Sequence, residues 1–143
     1  MDPISALAFA CNVLDMVDRA VTYGRTVKEI YDSTTGLSSK NEDLASVTQY
    51  MVVVTEDLQD LQGAVARSKP DAKMQQILEE CTVVCNAIQE ILTKCKPKKE
   101  KSIRSTAAAS IRSLLNKSDL DKFQDKLETA SRSLNALVSA KVL

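Results

Sequence analysis

Apolar residues recur at alternating steps of three and four along most of this 143-residue chain. The repeat is unbroken in one stretch, where it comprises Leu44, Val47, Met51, Val54, Leu58, Leu61 and Val65. Such spacing places the apolar side chains on one face of an α-helix, whereas a half-buried strand alternates in steps of two. Residues 47–55 are locally β-prone, yet the helical repeat continues through them and outweighs local propensity. We therefore predict an all-α fold.

Similar repeats, separated by chain-breaking residues, divide the sequence into five segments. We predict helices at approximately 3–31, 40–67, 70–95, 102–115 and 119–140. Ser39 to Glu42 has the form of a capping box, and Ser118 with Asp121 forms a cap-like start. Repeats of about 3.5 residues with short joins favour antiparallel helices packed at about 20°. The prediction is a single domain over 1–143, an antiparallel four- to five-helix bundle.

The composition argues against most kinds of catalytic site. The chain has no histidine, which removes the commonest general base and the commonest metal ligand. The glycines Gly24, Gly36 and Gly63 are far apart, so they form no glycine-rich phosphate loop. The adjacent carboxylates Glu56–Asp57 and Glu79–Glu80 are expected to point to different sides of their helices and to be solvated. We therefore expect no enzymatic activity, no cofactor and no metal.

The cysteines Cys11, Cys81, Cys85 and Cys95 lie within the apolar helical stripes. Secreted domains held by disulfides place their cysteines at loop spacings instead. We therefore interpret all four as reduced core thiols of an intracellular protein. Cys81 and Cys85 share one helical face, but without a second pair of ligands they are a weak metal signal.

The opening stretch, MDPISALAFACNVLDMVD, has no charge between Asp2 and Asp15. A secretory signal needs a basic region, and no Lys or Arg precedes Arg19. A membrane span needs about 20 apolar residues, whereas residues 3–14 supply twelve uncharged positions. Two neighbouring apolar stripes leave little polar surface here, so we predict a central helix enclosed by the rest of the bundle.

Charge is distributed unevenly although the formal net charge is zero. Residues 94–117 hold eight cations and one acid, a net +7, so the rest of the chain carries −7. One interpretation is a solvated loop and helix surface, and the other is a contact with an anionic surface such as lipid. Nucleic acid is not expected as a partner, because no aromatic residue is interleaved with the cations to stack on bases.

Three motifs resemble a known family. They are MDPISAL at 1–7, EIYDSTTG at 29–36 and NEDL at 41–44. They are similar to the start of the N-terminal domain of fungal STAND proteins, the NOD-like receptors, within the HeLo-like group of cell-death domains. A basic stretch followed by a leucine-rich amphipathic helix, from Lys96 to Leu137, also resembles that group. The resemblance implies a bundle similar to the HeLo domain and to the mixed lineage kinase domain-like executioner of necroptosis.

The resemblance also implies a function in programmed cell death, heterokaryon incompatibility and innate immunity. A receptor or amyloid-signalling module, on the same or a partner chain, would cluster a cytoplasmic domain into a homo-oligomer. The oligomer would move to the plasma membrane and permeabilise it through its N-terminal helix. The residues expected to insert into the membrane are Ile4, Leu7, Phe9, Val13, Leu14 and Met16. The residues expected to contact anionic lipid are Lys96, Lys98, Lys99, Lys101 and Arg104.

Two other functions are compatible with the same pattern. A purely protein-binding bundle would act as an adaptor or oligomerisation module without membrane activity. A bundle that binds a small molecule is a weaker hypothesis, because no constellation of polar residues supports it.

Overall fold

The computed structural model describes the backbone of residues 3–68, 72–95 and 103–142. The helices are α1 (Pro3–Asp32), α2 (Leu44–Ser68), α3 (Ala72–Lys94), α4 (Ile103–Leu114) and α5 (Lys117–Val142). No strand occurs within these described ranges. The helices pack against one another, which confirms the predicted all-α bundle.

Four long helices form a closed ring in which α1 contacts α2, α2 contacts α3, α3 contacts α5, and α5 contacts α1. The α1–α5 pair is antiparallel, because Asp18 near the middle of α1 meets Ser131, while Asp32 at its end meets Lys117 at the start of α5. The short helix α4 contacts α1, α2 and α3. Its Arg112 donates hydrogen bonds to the carbonyl oxygens of Tyr31 and Ser33, at 2.8 and 2.6 Å, which places the end of α4 beside the end of α1.

The predicted apolar stripes form the core of this ring. The deeply buried members include Val47, Met51, Val54, Leu58, Leu78, Cys85, Ile88, Leu92, Leu120, Leu127 and Leu134. Burial of a Leu or Ile side chain contributes about 1.5–3 kcal/mol. The helical repeat therefore identified the side chains that hold the bundle together.

Where the residues before a helix are described, α2 and α5 begin at other residues than predicted, whereas the starts predicted at 70 and 102 lie outside the described residues. α2 starts at Leu44, where the backbone N–H of Ser46 donates to Asp43 Oδ1 at 2.8 Å, so Asp43 is the N-cap. The capping box at Ser39–Glu42 is wrong, because Asn41 has a left-handed backbone with φ of 60° that interrupts any helix there.

α5 starts at Lys117 rather than at 119. The N–H of Asp119 donates to Asn116 Oδ1 at 2.8 Å, so Asn116 is the cap instead of Ser118. At the starts of α2 and α5, the sequence offers two polar residues that could serve as the N-cap. The conformation of the preceding turn decides which of them accepts the backbone N–H of the first helical turn.

α1 contacts all four other described helices, as a central helix would. However, its first half is not enclosed, because Ala8, Cys11, Asn12 and Asp15 are exposed. The prediction of a fully surrounded helix is therefore wrong along this face. The side chains of the two apolar stripes of α1 are buried to different extents, because neighbouring helices in a ring of four cover only about half of the surface around each helix.

Candidate functional site

The residues predicted to insert into a membrane lie on α1 at different depths. Val13 is completely buried. Phe9, Leu14 and Met16 are half-buried and pack against the core. Leu7 is also half-buried, and the side chain of Ile4 lies outside the described residues. The first half of α1 therefore covers the core with side chains that keep part of their apolar surface at the edge of the bundle.

Among the described side chains, apolar packing alone holds residues 6–17 of α1 to the neighbouring helices. Among the described side chains from Ala6 to Val17, none makes a hydrogen bond or ion pair with another helix. The one ion pair here, between Asp15 and Arg19 at 3.2 Å, is internal to α1. Within the part of the chain that is described, no helix combines the length and apolarity needed to cross a bilayer.

The second half of α1 has a different contact surface with α5. Five polar contacts join the two helices at 2.6–3.4 Å: Asp18 with Ser131, the Val21 carbonyl with Gln124, Arg25 with Glu128, Lys28 with Asp121, and Asp32 with Lys117. We call these contacts the α1–α5 polar seam. Sequence reasoning missed the seam, although its members follow steps of three and four on both helices.

The ion pair of the seam with the shortest distance joins Lys28 Nζ to Asp121 Oδ1 at 2.8 Å. The close contact with the Asp121 carboxylate raises the pKa of Lys28, against a smaller opposing effect of burial. Because both side chains keep access to water, such a pair contributes at most about 1 kcal/mol. The stability of the seam consequently comes from several weak contacts together and from the buried residue at its centre.

Gln124 is that buried residue, with 4% of its surface exposed. Its Nε2 donates to the Val21 carbonyl at 3.0 Å and lies 3.4 Å from Glu128 Oε1. These two contacts of Nε2 fix the orientation of the Gln124 amide, so its oxygen points at the backbone of Gly24. A Cβ at position 24 would overlap that oxygen. The absence of a side chain at Gly24 therefore permits the close approach of α1 and α5.

The stretch of residues 94–117 with a net charge of +7, which we call the basic segment, is described only in part. Lys96, Lys98, Lys99 and Lys101 lie outside the described residues, as does the side chain of Arg104.

Other cations of the segment can be placed. Lys94 is exposed at the end of α3, Lys117 pairs with Asp32, and Arg112 binds the carbonyls of Tyr31, in the last turn of α1, and of Ser33, just after it. Asp32 thus offsets the charge of Lys117, and the guanidinium of Arg112 is held by hydrogen bonds within the bundle.

The motif EIYDSTTG forms the turn that ends α1. Ser33 Oγ accepts a hydrogen bond from the N–H of Gly36 at 2.9 Å, and Gly36 adopts a positive φ of 78°. Glu29 Oε2 accepts hydrogen bonds from both the N–H and the hydroxyl of Ser39, at 2.8 and 2.9 Å. The motif therefore has a local structural role, which is to reverse the chain between α1 and α2.

The cysteines divide into two classes. Cys81, Cys85 and Cys95 are buried free thiols, as predicted, whereas Cys11 is exposed, which corrects the prediction for that residue. Burial raises the pKa of Cys81 and of Cys85 to about 12. Among the described residues, no group of three His, Cys, Asp or Glu side chains is arranged to hold a metal ion.

An open groove of about 480 Å³ lies between α3 and α5. Its lining includes Glu79, Glu80, Val83 and Lys126. Glu79 and Glu80 border this groove and are both exposed, in agreement with the expectation that they are solvated. The groove has mixed charge and an apolar edge, since 63% of Val83 is exposed.

Comparison of the chain with protein families, with curated proteins and with solved structures gives no match. The resemblance to HeLo-like domains accordingly depends on the residues of the three motifs, and the function it implies is a proposal.

Proposed function

We propose that this bundle is a cell-death effector domain of the HeLo-like type, which permeabilises the plasma membrane when it is clustered. One observation carries the proposal: from Ala6 to Val17, the described side chains of α1 meet the other helices through apolar contacts and make no hydrogen bond or ion pair with them. Hydrocarbon can replace such contacts without leaving a charge or a hydrogen-bonding group unpaired. This half of α1 is therefore the part of the described chain best suited to exchange a protein environment for lipid.

Release of α1 requires a trigger. Its first half includes Ala10, Val13 and Val17 in the core, with Phe9 and Leu14 packed on it. Exposing side chains of this size to water costs about 1.5–3 kcal/mol each, so the docked state is strongly favoured in solution. Clustering by a receptor or amyloid-signalling module would supply the trigger. It raises the local concentration of weak lipid contacts, so a homo-oligomer binds where a monomer does not.

The basic segment gives the oligomer its preference for anionic lipid. Each Lys or Arg near an anionic surface contributes about 1 kcal/mol of attraction. Lys96, Lys98, Lys99 and Lys101 are the cations we assign to this contact, with Arg104 beside them in the sequence. In this proposal the protein is cytoplasmic at rest and relocates to the plasma membrane on activation.

The test is dye release from anionic liposomes by protein that is forcibly clustered through a fused dimerising tag. Leu7→Glu and Cys11→Glu place a charge on the first half of α1 at positions that are not fully buried, so folding is retained. Both should reduce leakage at least about tenfold, because a buried charge in hydrocarbon costs several kcal/mol. Deletion of residues 1–14 should abolish it.

Val83→Glu is the matched control, since it puts the same charge on an exposed apolar residue of α3. It should leave leakage unchanged. The proposed mechanism is wrong if the Leu7→Glu and Cys11→Glu proteins release dye from the liposomes as fast as the parent chain does while circular dichroism shows native helix content.

A second candidate function is an interaction module without membrane activity. The observation that favours it is a set of large apolar residues exposed outside α1: Tyr50, Val53, Val83 and Leu114. Scattered exposed residues are common on monomers, so this signal is weaker. A stable protein complex that survives Leu7→Glu, together with no co-sedimentation with anionic vesicles at physiological salt, would select this function.

A further inference from the structure

We infer that α1 opens in two parts, with residues 3–17 detaching as a unit while residues 18–32 stay bound to α5 through the polar seam. The role of this opening in membranes depends on the proposed function. The division itself depends only on the contacts of the resting bundle.

The contact between α1 and α5 changes character at Asp18. From Asp18 to Asp32, successive turns of α1 meet a polar partner on α5. The register that pairs Asp18 with Ser131 and Asp32 with Lys117 can be continued toward the N-terminus. It then brings Leu14 opposite Asn135 and Cys11 opposite Val138. None of these four residues is charged, so the charged contacts between α1 and α5 end at Asp18.

Residues 18–32 have further attachments that the described side chains of residues 6–17 lack. Arg112 binds the carbonyls of Tyr31 and Ser33, and Glu29 binds Ser39 in the following loop. The rings of Tyr23 and Tyr50 lie 5.3 Å apart, which joins this half to α2 as well. Local opening follows the part of a structure with the fewest specific contacts, and here that part is the N-terminal half.

A bilayer would increase the difference between the two halves. Hydrocarbon solvates the apolar side chains of residues 3–17, and the one charge among them, Asp15, lies near the end of the segment, where it can stay at the headgroup level beside Arg19. Hydrocarbon offers no partner to Arg25, Lys28 or Asp32. Moving the second half into lipid would require these charges to give up their partners on α5 and their water. The transition from apolar to charged contacts therefore sets where the released segment ends.

The released segment is too short to span a membrane alone. Fifteen helical residues extend about 22 Å, against about 30 Å for the hydrocarbon core. A segment of this length enters one leaflet while the rest of the bundle remains at the surface. Permeabilisation then requires several chains side by side, which agrees with a requirement for clustering.

Hydrogen exchange of the resting full-length protein tests the division without lipid. Peptides covering residues 6–17 should exchange at least about tenfold faster than peptides covering 18–32, because they open without breaking the seam. Equal protection of the two halves, or slower exchange of the first half, would overturn the inference.

Seam variants test whether the polar contacts are the cause. Arg25→Ala combined with Lys28→Ala removes two ion pairs to α5 and should speed exchange of residues 18–32 by about three- to tenfold. Arg19→Ala is the matched control, because its ion pair with Asp15 lies within α1. If both variants change exchange of 18–32 equally, the seam does not hold that half.

Cross-linking connects the division to leakage. In a Cys11→Ser background, Arg25→Cys and Glu128→Cys joined by a cleavable cross-linker should leave leakage within about twofold of the sample in which the cross-link is cleaved. A cross-link between native Cys11 and the thiol introduced by Val138→Cys should abolish leakage until it is cleaved. Loss of leakage with the first cross-link would show that the whole helix must leave, and would overturn the inference. A chain that never leaks would contradict the proposed function instead, while the exchange measurements would still decide the inference.

Discussion

Two helical glycines in this chain have opposite roles. Gly24 lies under the amide of Gln124, where a Cβ would overlap the amide oxygen, whereas nothing lies within 4 Å of the position of a Cβ on Gly63. In a helix interior, glycine costs up to about 1 kcal/mol relative to alanine. That cost is therefore compensated by helix contact at Gly24 and is uncompensated at Gly63.

Alanine substitutions should separate these roles. Gly24→Ala should lower the free energy of unfolding by about 1–3 kcal/mol, because overlap with Gln124 outweighs the gain in helix propensity. Gly63→Ala should raise it by about 0.5–1 kcal/mol. Urea unfolding followed by circular dichroism measures both. Adding Gln124→Ala to Gly24→Ala should recover part of the loss, and a stabilising Gly24→Ala would contradict the packing described.

The cysteines should differ in reactivity according to burial. At about pH 8, a maleimide should modify one thiol per native chain, Cys11, and four after unfolding, since the thiolate is the reactive form. The pKa of Cys81 and Cys85, at about 12, keeps those groups protonated in the native state. Mass spectrometry of the labelled peptides gives the count, and rapid native labelling at Cys81 would disagree with the core.

The same raised pKa predicts how stability depends on pH. Above the ordinary thiol pKa of 9.0, the unfolded chain releases the protons of Cys81 and Cys85 while the folded chain retains them. Stability should therefore fall as the pH rises from about 9 toward 12. Cys81→Ala with Cys85→Ala should reduce that slope in urea unfolding, while Cys11→Ala should leave it unchanged.

At the scale of elements, the start of α2 shows how a helix boundary is chosen. Asp43 Oδ1 accepts the N–H of Ser46 in the first turn of α2, and Ser38 Oγ accepts the N–H of Glu42 in the turn before the helix. A capping box at Ser39–Glu42 would need helical geometry at Asn41, which has a left-handed backbone.

This boundary can be tested by two neighbouring substitutions. Asp43→Ala should cost about 1 kcal/mol of stability, because it removes the N-cap of α2. Glu42→Ala should change stability by less than about 0.5 kcal/mol, since only the backbone of Glu42 takes part in the turn. Thermal or urea unfolding compares them, and the reverse order would favour the capping box.

At the scale of the whole molecule, charge is separated although the net charge is zero. Residues 44–66 and 74–93 contain six acids and no cation, while residues 94–117 carry +7. The acids of α2, from Glu56 to Asp60, extend over about 6 Å of helix, and those of α3, from Glu79 to Glu90, extend over about 16 Å. The Debye length is about 8 Å at physiological salt, so exposed acids farther than that from the basic segment are largely screened from it.

The basic segment should bind anionic vesicles in a salt-dependent manner. Co-sedimentation of the clustered chain should fall steeply as salt rises from about 50 to about 500 mM, because screening weakens each lysine contact. Lys98→Glu with Lys99→Glu should weaken binding at least about tenfold, at about 1 kcal/mol per cation. Lys122→Glu with Lys126→Glu makes the same charge change on α5 and should have little effect. Equal losses in both variants would indicate a response to net charge alone.

Most of the secondary structure was predictable because burial follows the helical period. The stripe from Val47 to Leu58 and the stripe from Leu120 to Leu134 both lie in the core as expected. The polar seam was missed, although Asp32, Lys28 and Arg25 have charges opposite to those of Lys117, Asp121 and Glu128 in antiparallel order. That signal identifies a pair of helices only when their pairing and register are already known.

The amino-acid sequence by itself determined that the chain forms amphipathic helices and, outside the first half of α1, which face of each long helix is buried, because a period near 3.5 gathers the apolar residues on one side of a helix. Only the tertiary structure decided what each stripe meets. It placed Cys11 in solvent, put Gly24 beneath Gln124, and divided α1 at Asp18 into an apolar half and a half joined to α5 by polar contacts. The physical reason is that periodicity is a property of one helix, whereas exposure and pairing depend on the neighbours that the ring of helices brings together.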